Sequence, residues 1–436
     1  MSELESKEFW KVKKRVLTSY LIVLGFGGFL VTYIVENDRP TRIASVFKVN
    51  DVTKDWVKAP GSSFGSSHSR NTKEKMTSLE ESNTSPDAYV DTQKNRLHLI
   101  NNICLNKTLL KSSSLVRPKF RRVYFTTKYN FSFCKVPKIG STFWTQVFQV
   151  LESNRGNYGE IFGRKRAEVH GTSDRLPGNV KDTSIPLIIP TRNPFSRLYS
   201  AFVDKSYLRL FPSINGVVRK LVSKTTEKRD LCLNDVSFSE FLEHVVVSAR
   251  RRMTFNEHWA PVYSVCTPCD KNVTFIVKQE SFATDVENAL RHFWVNEDEI
   301  KVLKSVLHDH RIETSLPGII RTVYLRTKPI RKCFTAEIMV KRIWTSFQIQ
   351  GYVSNKVHFP AQNFTKSRDY ENTEFVVKVL METIMRSPLT SEESRSQRQQ
   401  ALAHAYKDIN DTILTDIKKI YALDFKAFNY SETKPS

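Results

Sequence analysis

Two short segments carry residues suited to holding anions. The first, Pro137-Lys138-Ile139-Gly140-Ser141-Thr142-Phe143, follows the apolar stretch Ser132–Val136 and opens an amphipathic run. The second, Arg192-Asn193-Pro194, follows Ile185–Ile189 and opens another such run. A loop that leaves a strand and starts a helix presents backbone N–H groups and the positive end of a dipole. Gly140 lets the backbone come close to a bound anion, Ser141 and Thr142 add hydroxyl donors, and Lys138 adds a mobile charge. Arg192 offers a planar fork of donors just ahead of a helix that Asn193 can cap and Pro194 can begin. Ser200 lies two turns further along that helix. Two such loops in successive units fit a nucleotide with phosphates at both ends. The first loop lacks the Gly-x-x-x-x-Gly-Lys-Ser/Thr pattern of ATP-hydrolysing proteins.

The elements that position these loops are legible from periodicity. Trp144, Val147, Phe148 and Leu151 fall at i, i+3, i+4 and i+7, and so do Phe195, Leu198, Tyr199 and Phe202. Both are helices with one face on a core. Val273–Val277 reads as a third strand, followed by a helix from about Ser281 to Phe293. Repeated strand–helix alternation predicts an α/β fold, a P-loop-like parallel sheet flanked by helices.

Charge and targeting signals bound the partners. The chain has 436 residues, 67 Lys+Arg and 45 Asp+Glu, for a formal net charge of +22. Such an excess calls for a polyanionic partner. Val16–Val35 carries no charge, is long enough to cross a bilayer, and follows Lys7, Lys11, Lys13, Lys14 and Arg15. The positive-inside rule puts the N-terminus in the cytosol and the rest in the lumen. A cleaved signal peptide fits less well, because Val35-Glu36-Asn37 is a poor cleavage site. Asn83, Asn106, Asn130, Asn272, Asn363, Asn410 and Asn429 each begin Asn-x-Ser/Thr, as in a lumenal glycoprotein. Nucleic acid is then excluded as a partner, and an anionic glycan or glycoprotein is expected.

The expected organisation is a cytosolic tail 1–15, a transmembrane signal anchor 16–35, a disordered stem 36–115 and a catalytic domain 116–436. Cys104, Cys134, Cys232, Cys266, Cys269 and Cys333 are expected to form disulfides, with pairing left open. Cys266-x-x-Cys269 alone lacks two zinc ligands, and no Asp/Glu cluster has metal spacing, so no metal is expected. Arg164-Lys165-Arg166 and Arg250-Arg251-Arg252 read as solvated faces or as glycan contacts. The oligomeric state is open.

Four stretches in order resemble one family. Val136–Trp144 is similar to the 5′-phosphosulfate loop of PAPS-dependent sulfotransferases, and Arg192–Ala201 to their 3′-phosphate motif. His258-Trp259-Ala260-Pro261 with Cys266-Thr267-Pro268-Cys269, and Tyr421–Tyr430, resemble segments of the membrane-bound carbohydrate sulfotransferases of the HNK-1 and chondroitin/dermatan 4-O type. The likeness spans roughly residues 120–431. Where that group usually has Cys, Asn and Lys in the loop, this chain has Ser141, Phe143 and Thr145; Asn429 replaces a usual Gly. The resemblance implies a Golgi enzyme that moves a sulfuryl group from PAPS to a glycan hydroxyl and releases PAP. It implies that Lys138 neutralises the bridging oxygen, that Pro137–Phe143 hold the 5′ end, and that Arg192, Asn193 and Ser200 hold the 3′-phosphate. Positioning and charge stabilisation dominate such chemistry, and the lower charge of a sulfuryl group makes a metal clamp dispensable. The acceptor hydroxyl needs a general base; His170, between the two loops, and His258 are the candidates. A lumenal, non-catalytic glycan-binding protein on the same fold is the alternative. A nucleotide kinase does not suit the loop or the compartment.

Overall fold

Three strands end at the two anion loops and beside them, in a computed structural model. It describes residues 86–112, 116–118, 122–153, 158–164, 168–169, 183–208, 217–218, 236–309, 311–327 and 334–436. The strands are β1 (Val123–Thr126), β2 (Phe131–Cys134), β3 (Leu187–Thr191) and β4 (Val273–Lys278), in the order β1-β2-β3-β4. β2, β3 and β4 run parallel, with Ser132 opposite Leu187 and Ile188 opposite Phe275. β1 pairs antiparallel with β2. The expected parallel sheet is therefore a mixed one. The tight turn Thr127–Asn130, with Asn130 in the left-handed region at φ 51°, folds an edge strand back onto β2.

Both faces of the sheet are covered, which is why its strands read as apolar runs rather than as an alternation. Along β3, Leu187 and Ile189 enter one apolar cluster and Ile188 the other. On one side Phe131 and Phe133 pack on Trp144 and Phe148 of the helix Ser141–Leu151 (α2), with Val286 and Leu290 of a later helix. On the other side Cys134, Leu187 and Ile189 join Phe195 and Leu198 of the helix Pro194–Phe202 (α3) and the C-terminal residues Tyr421, Phe425 and Phe428. A third cluster holds the helices Arg311–Thr327, Ala336–Ile349 and Thr373–Arg386 together.

The described structure begins at Pro86, within the stretch 36–115 expected as a stem. Pro86–Leu105 is a helix of 20 residues, here α1 in chain order ahead of α2. Ile100 and Ile103 anchor its C-terminal half in the apolar cluster, and polar bonds anchor its N-terminal half. Tyr89 Oη donates to Asp285 Oδ1 at 2.8 Å, Arg96 Nη1 to Asp285 Oδ2 at 2.6 Å, and Gln93 bonds both the N–H and the carbonyl of Ile276. Cys104 is bonded to Cys269 and Cys134 to Cys266. The two cysteines of Cys266-x-x-Cys269 are thus disulfide-bonded to different partners. Cys232 and Cys333 lie outside the described residues, as does the whole span Val16–Val35. Among the described residues no helix is long and apolar enough to cross a membrane.

Candidate active site

The first loop is shaped by two left-handed residues. Lys138 has φ 71° and Gly140 φ 61°. Between them the Ile139 side chain is wholly buried, as is that of Val136 before them. Left-handed backbone is costly for a lysine and persists only where its surroundings impose it. Gly140 is required twice over. A Cβ there would strain the backbone and would stand 2.4 Å from the Phe282 ring. Helix α2 then starts at Ser141 with no side chain capping it. Ser141 is buried, while Thr142 and Phe143 are half-buried. Phe143 and Trp144 both meet Phe282 edge-on, and the Thr145 hydroxyl donates to the Ser141 carbonyl at 2.8 Å. Phe143 and Thr145, two of the residues that depart from the usual loop pattern, are thus engaged within the protein itself.

The second loop caps itself. Asn193 Oδ1 accepts from the N–H groups of Phe195 and Ser196 at 2.9 and 3.3 Å, so this side chain starts α3. Arg192 turns back across the first loop. Its Nη1 donates to the Lys138 carbonyl at 3.0 Å and its Nε to Ser196 Oγ at 2.7 Å. Burial pulls its guanidinium down to about 10, partly offset by Glu280, so it stays a cation at neutral pH. Ser200 is half-buried further along α3.

A third strand end completes the floor. Glu280 Oε1 accepts from the Asn193 N–H at 3.0 Å, and its Oε2 accepts from the Tyr430 hydroxyl at 2.9 Å. Thr191 Oγ1 lies 3.0 Å from the same hydroxyl, and the Lys278 ammonium sits 4.6 Å from the centre of the Tyr430 ring. The C-terminal segment reaches this point through Asn429, whose φ of 50° is one that asparagine tolerates; this explains how it replaces glycine.

Arg197 joins the motifs into one structure. It is 2% exposed, and its guanidinium donates to the carbonyls of Pro137, Glu257 and Ala260. The Asp424 carboxylate accepts from the N–H groups of Val262 and Tyr263 at 2.7 and 2.8 Å. Burial pushes that carboxyl up to about 6, against the pull of those two donors and of Arg197. Tyr421 Oη donates to the Trp259 carbonyl. The segment containing His258 is thereby tied to the first residue of the anion loop. His258 is half-buried. Its Nδ1 lies 2.6 Å from Asn256 Oδ1, which also accepts the His258 backbone N–H at 3.0 Å. That N–H fixes the amide oxygen in place. Nδ1 therefore donates to this oxygen, and in the neutral ring the lone pair is on Nε2, the arrangement a base requires. His170 lies outside the described residues.

One acidic residue at the loop was missed in the sequence. Lys138 Nζ donates to Asp204 Oδ2 at 2.8 Å. Asp204, 8% exposed, sits on a π-helical turn, Val203–Leu208, that continues α3. The signal available was the charged pair Asp204-Lys205 interrupting an otherwise apolar run after Phe202.

A model of the sulfotransferase family matches residues 121–314. Among curated proteins, carbohydrate sulfotransferase 11 of Rattus norvegicus is 31% identical over 175 residues, covering 36% of this chain and 49% of its own length. Carbohydrate sulfotransferase 14 of Danio rerio is 26% identical over 211 residues, covering 45% and 56%. Carbohydrate sulfotransferase 10 of Homo sapiens is 29% identical over 259 residues, covering 53% and 66%. The chain spans about half the length of the first of these relatives. No solved structure matches.

Proposed function

We propose that this protein is a PAPS-dependent carbohydrate O-sulfotransferase. The observation that carries the reading is the hydrogen bond from Arg192 to the Lys138 carbonyl. It brings the guanidinium of the second loop onto the backbone of the first, so that one nucleotide with phosphates at both ends can engage both. The chemistry of the loops fits that donor. Gly140 and the uncapped start of α2 suit an anion at the 5′ end, and Arg192 and Ser200 suit the 3′-phosphate. The names of the relatives support a carbohydrate acceptor.

In this mechanism the acceptor hydroxyl oxygen bonds to sulfur while the bond from sulfur to the 5′-phosphate oxygen breaks. Lys138 neutralises the charge that develops on that leaving oxygen. The base takes the hydroxyl proton; His258 has the required tautomer, and His170 is the other candidate. The products are the sulfate ester and PAP. The net charge of +22 favours an anionic glycan or glycoprotein as acceptor, of the chondroitin/dermatan or HNK-1 class.

We place the enzyme in the Golgi membrane as a single-pass type II protein, anchored by Val16–Val35. The two disulfides support an oxidising compartment. So does the exposure of every sequon asparagine among the described residues: Asn106, Asn130, Asn272, Asn363, Asn410 and Asn429. The detergent-solubilised chain, given labelled PAPS and a panel of desulfated glycans, should label at least one of them. Binding of a glycan with no transfer from PAPS would select the non-catalytic alternative instead.

A further inference from the structure

We propose that Asp204 is the positioning residue of Lys138, holding its ammonium at the mouth of the donor site until the donor's own charge replaces the carboxylate. The inference rests on the sulfotransferase reading above and concerns how its central lysine is controlled.

Three observations carry it. The Lys138–Asp204 pair is close, 2.8 Å, and both side chains are largely buried, at 12% and 10% exposure. A shielded pair of this kind is screened little by salt and holds a long side chain in one place. Next, the backbone at both ends of the pair is irregular. Lys138 is held at φ 71°, and Asp204 lies on a π-helical turn. Such turns recur at functional sites because the inserted residue re-aims side chains that a regular helix would direct elsewhere. Here the turn buries Asp204, Lys205 and Ser206 in succession. An amphipathic α-helix would turn one of three such neighbours toward solvent. Finally, the pair shares a frame with the second loop. α3 begins beside Arg192 and runs directly into the π turn, and Arg192 holds the Lys138 carbonyl. One continuous element therefore positions both the backbone and the ammonium of Lys138.

Among the described residues, the charged groups paired with Asp204 are Lys138 at 2.8 Å and Lys205 at 3.7 Å. Those two cations and the one carboxylate form a cluster. Within it Asp204 has two opposed effects. It competes with the donor for Lys138, which weakens binding. It also delivers the ammonium to one place, which speeds the reaction.

The test uses Asp204→Asn in the full chain, because the amide keeps the shape and removes the charge. PAP affinity is read by calorimetry, and kcat and KM for PAPS are read at fixed acceptor. The expected result is a split. PAP binds roughly tenfold more tightly and KM for PAPS falls, the weight of one like charge near an anion at partial burial. At the same time kcat falls by about 10- to 100-fold, as for a misplaced catalytic group. In a Lys138→Ala background, Asp204→Asn should tighten PAP binding by a clearly smaller factor, since Lys138, the closer of the two lysines on Asp204, is no longer there to be released. Asp204→Glu should restore part of kcat. Unchanged PAP affinity and kcat in a folded Asp204→Asn chain would overturn the inference. So would weaker PAP binding with lower kcat, which is the mark of a merely structural carboxylate. If the wild-type chain itself fails to bind PAP, the sulfotransferase reading falls first, and this inference with it.

Discussion

Lys138 and Arg192 have different tasks at the same loop, and their variants should fail differently. Lys138→Ala removes a charge that acts mainly where negative charge develops. Turnover should be lost in a chain that still folds and still binds PAP. Arg192→Ala removes a cation with a buried guanidinium from the proposed 3′-phosphate site. PAP affinity should fall by about 1.5–3 kcal/mol, the weight of a hydrogen bond to a charged group. Calorimetric titration separates the two outcomes. Unchanged affinity in Arg192→Ala would remove this residue from the site. For the base, His258→Ala or His170→Ala should lower turnover by about 10²–10⁴-fold, whichever holds the role, with PAP affinity nearly unchanged. The tautomer imposed by Asn256 favours His258. Lys138, Gly140 and Arg192 were singled out in the sequence because anion chemistry needs those residue types beside a helix start, and the structure brings their two loops together. Asp204 was not singled out, because a π turn shifts the phase of the side chains, and no periodicity argument anticipates that shift. Asn193 was legible twice, as a cap and as a ligand; in the structure its side-chain oxygen is the cap of α3.

Among the elements, the strands β2, β3 and β4 and the helices that follow them were readable from their apolar periods. Two pieces were not. β1 has only four residues and returns through a turn without glycine, so it gives neither a long run nor a strong turn signal. α1 sits in a polar stretch with few apolar residues. Tyr89, Gln93, Arg96 and the Cys104 disulfide attach it to partners 165 to 196 positions away, which local pattern cannot reveal. The same long-range logic gives Arg197 its weight. Its guanidinium bonds carbonyls from the anion loop and from the His258 segment, so Arg197→Met would leave three carbonyls with a lost donor. Denaturant unfolding should show a loss of about 3 kcal/mol or more, on the scale of several buried groups left without a donor. PAP affinity should fall as well, because the loop loses its brace at Pro137. Wild-type stability in this variant would mean that the three elements hold together without it.

For the whole molecule, pH reports on burial. His244 is 5% exposed, its ring rests edge-on against Trp259, and its Nδ1 has no hydrogen-bond partner. Burial pulls its pKa from 6.5 down to about 4. Between those values the unfolded chain binds a proton that the folded chain does not, so stability must fall as pH drops from about 6.5 toward 4. Loss of the full shift is worth about 2–4 kcal/mol. Asp424 works in the opposite direction. Its carboxyl is raised to about 6, so its contribution is present at low pH and fades as pH rises through that value. Comparing urea midpoints of wild type and His244→Phe across pH 4–7 isolates the histidine. The wild-type curve should slope more steeply upward with pH than the variant curve. Parallel curves would show that His244 is solvated.

The central claim is that one nucleotide engages both loops at once. A crystal structure of the chain with PAP tests it most directly. The account predicts the 5′-phosphate on the Gly140–Thr142 backbone beside Lys138, and the 3′-phosphate on Arg192 with Ser200. PAP bound elsewhere, or held at one loop with its other phosphate in solvent, would contradict it.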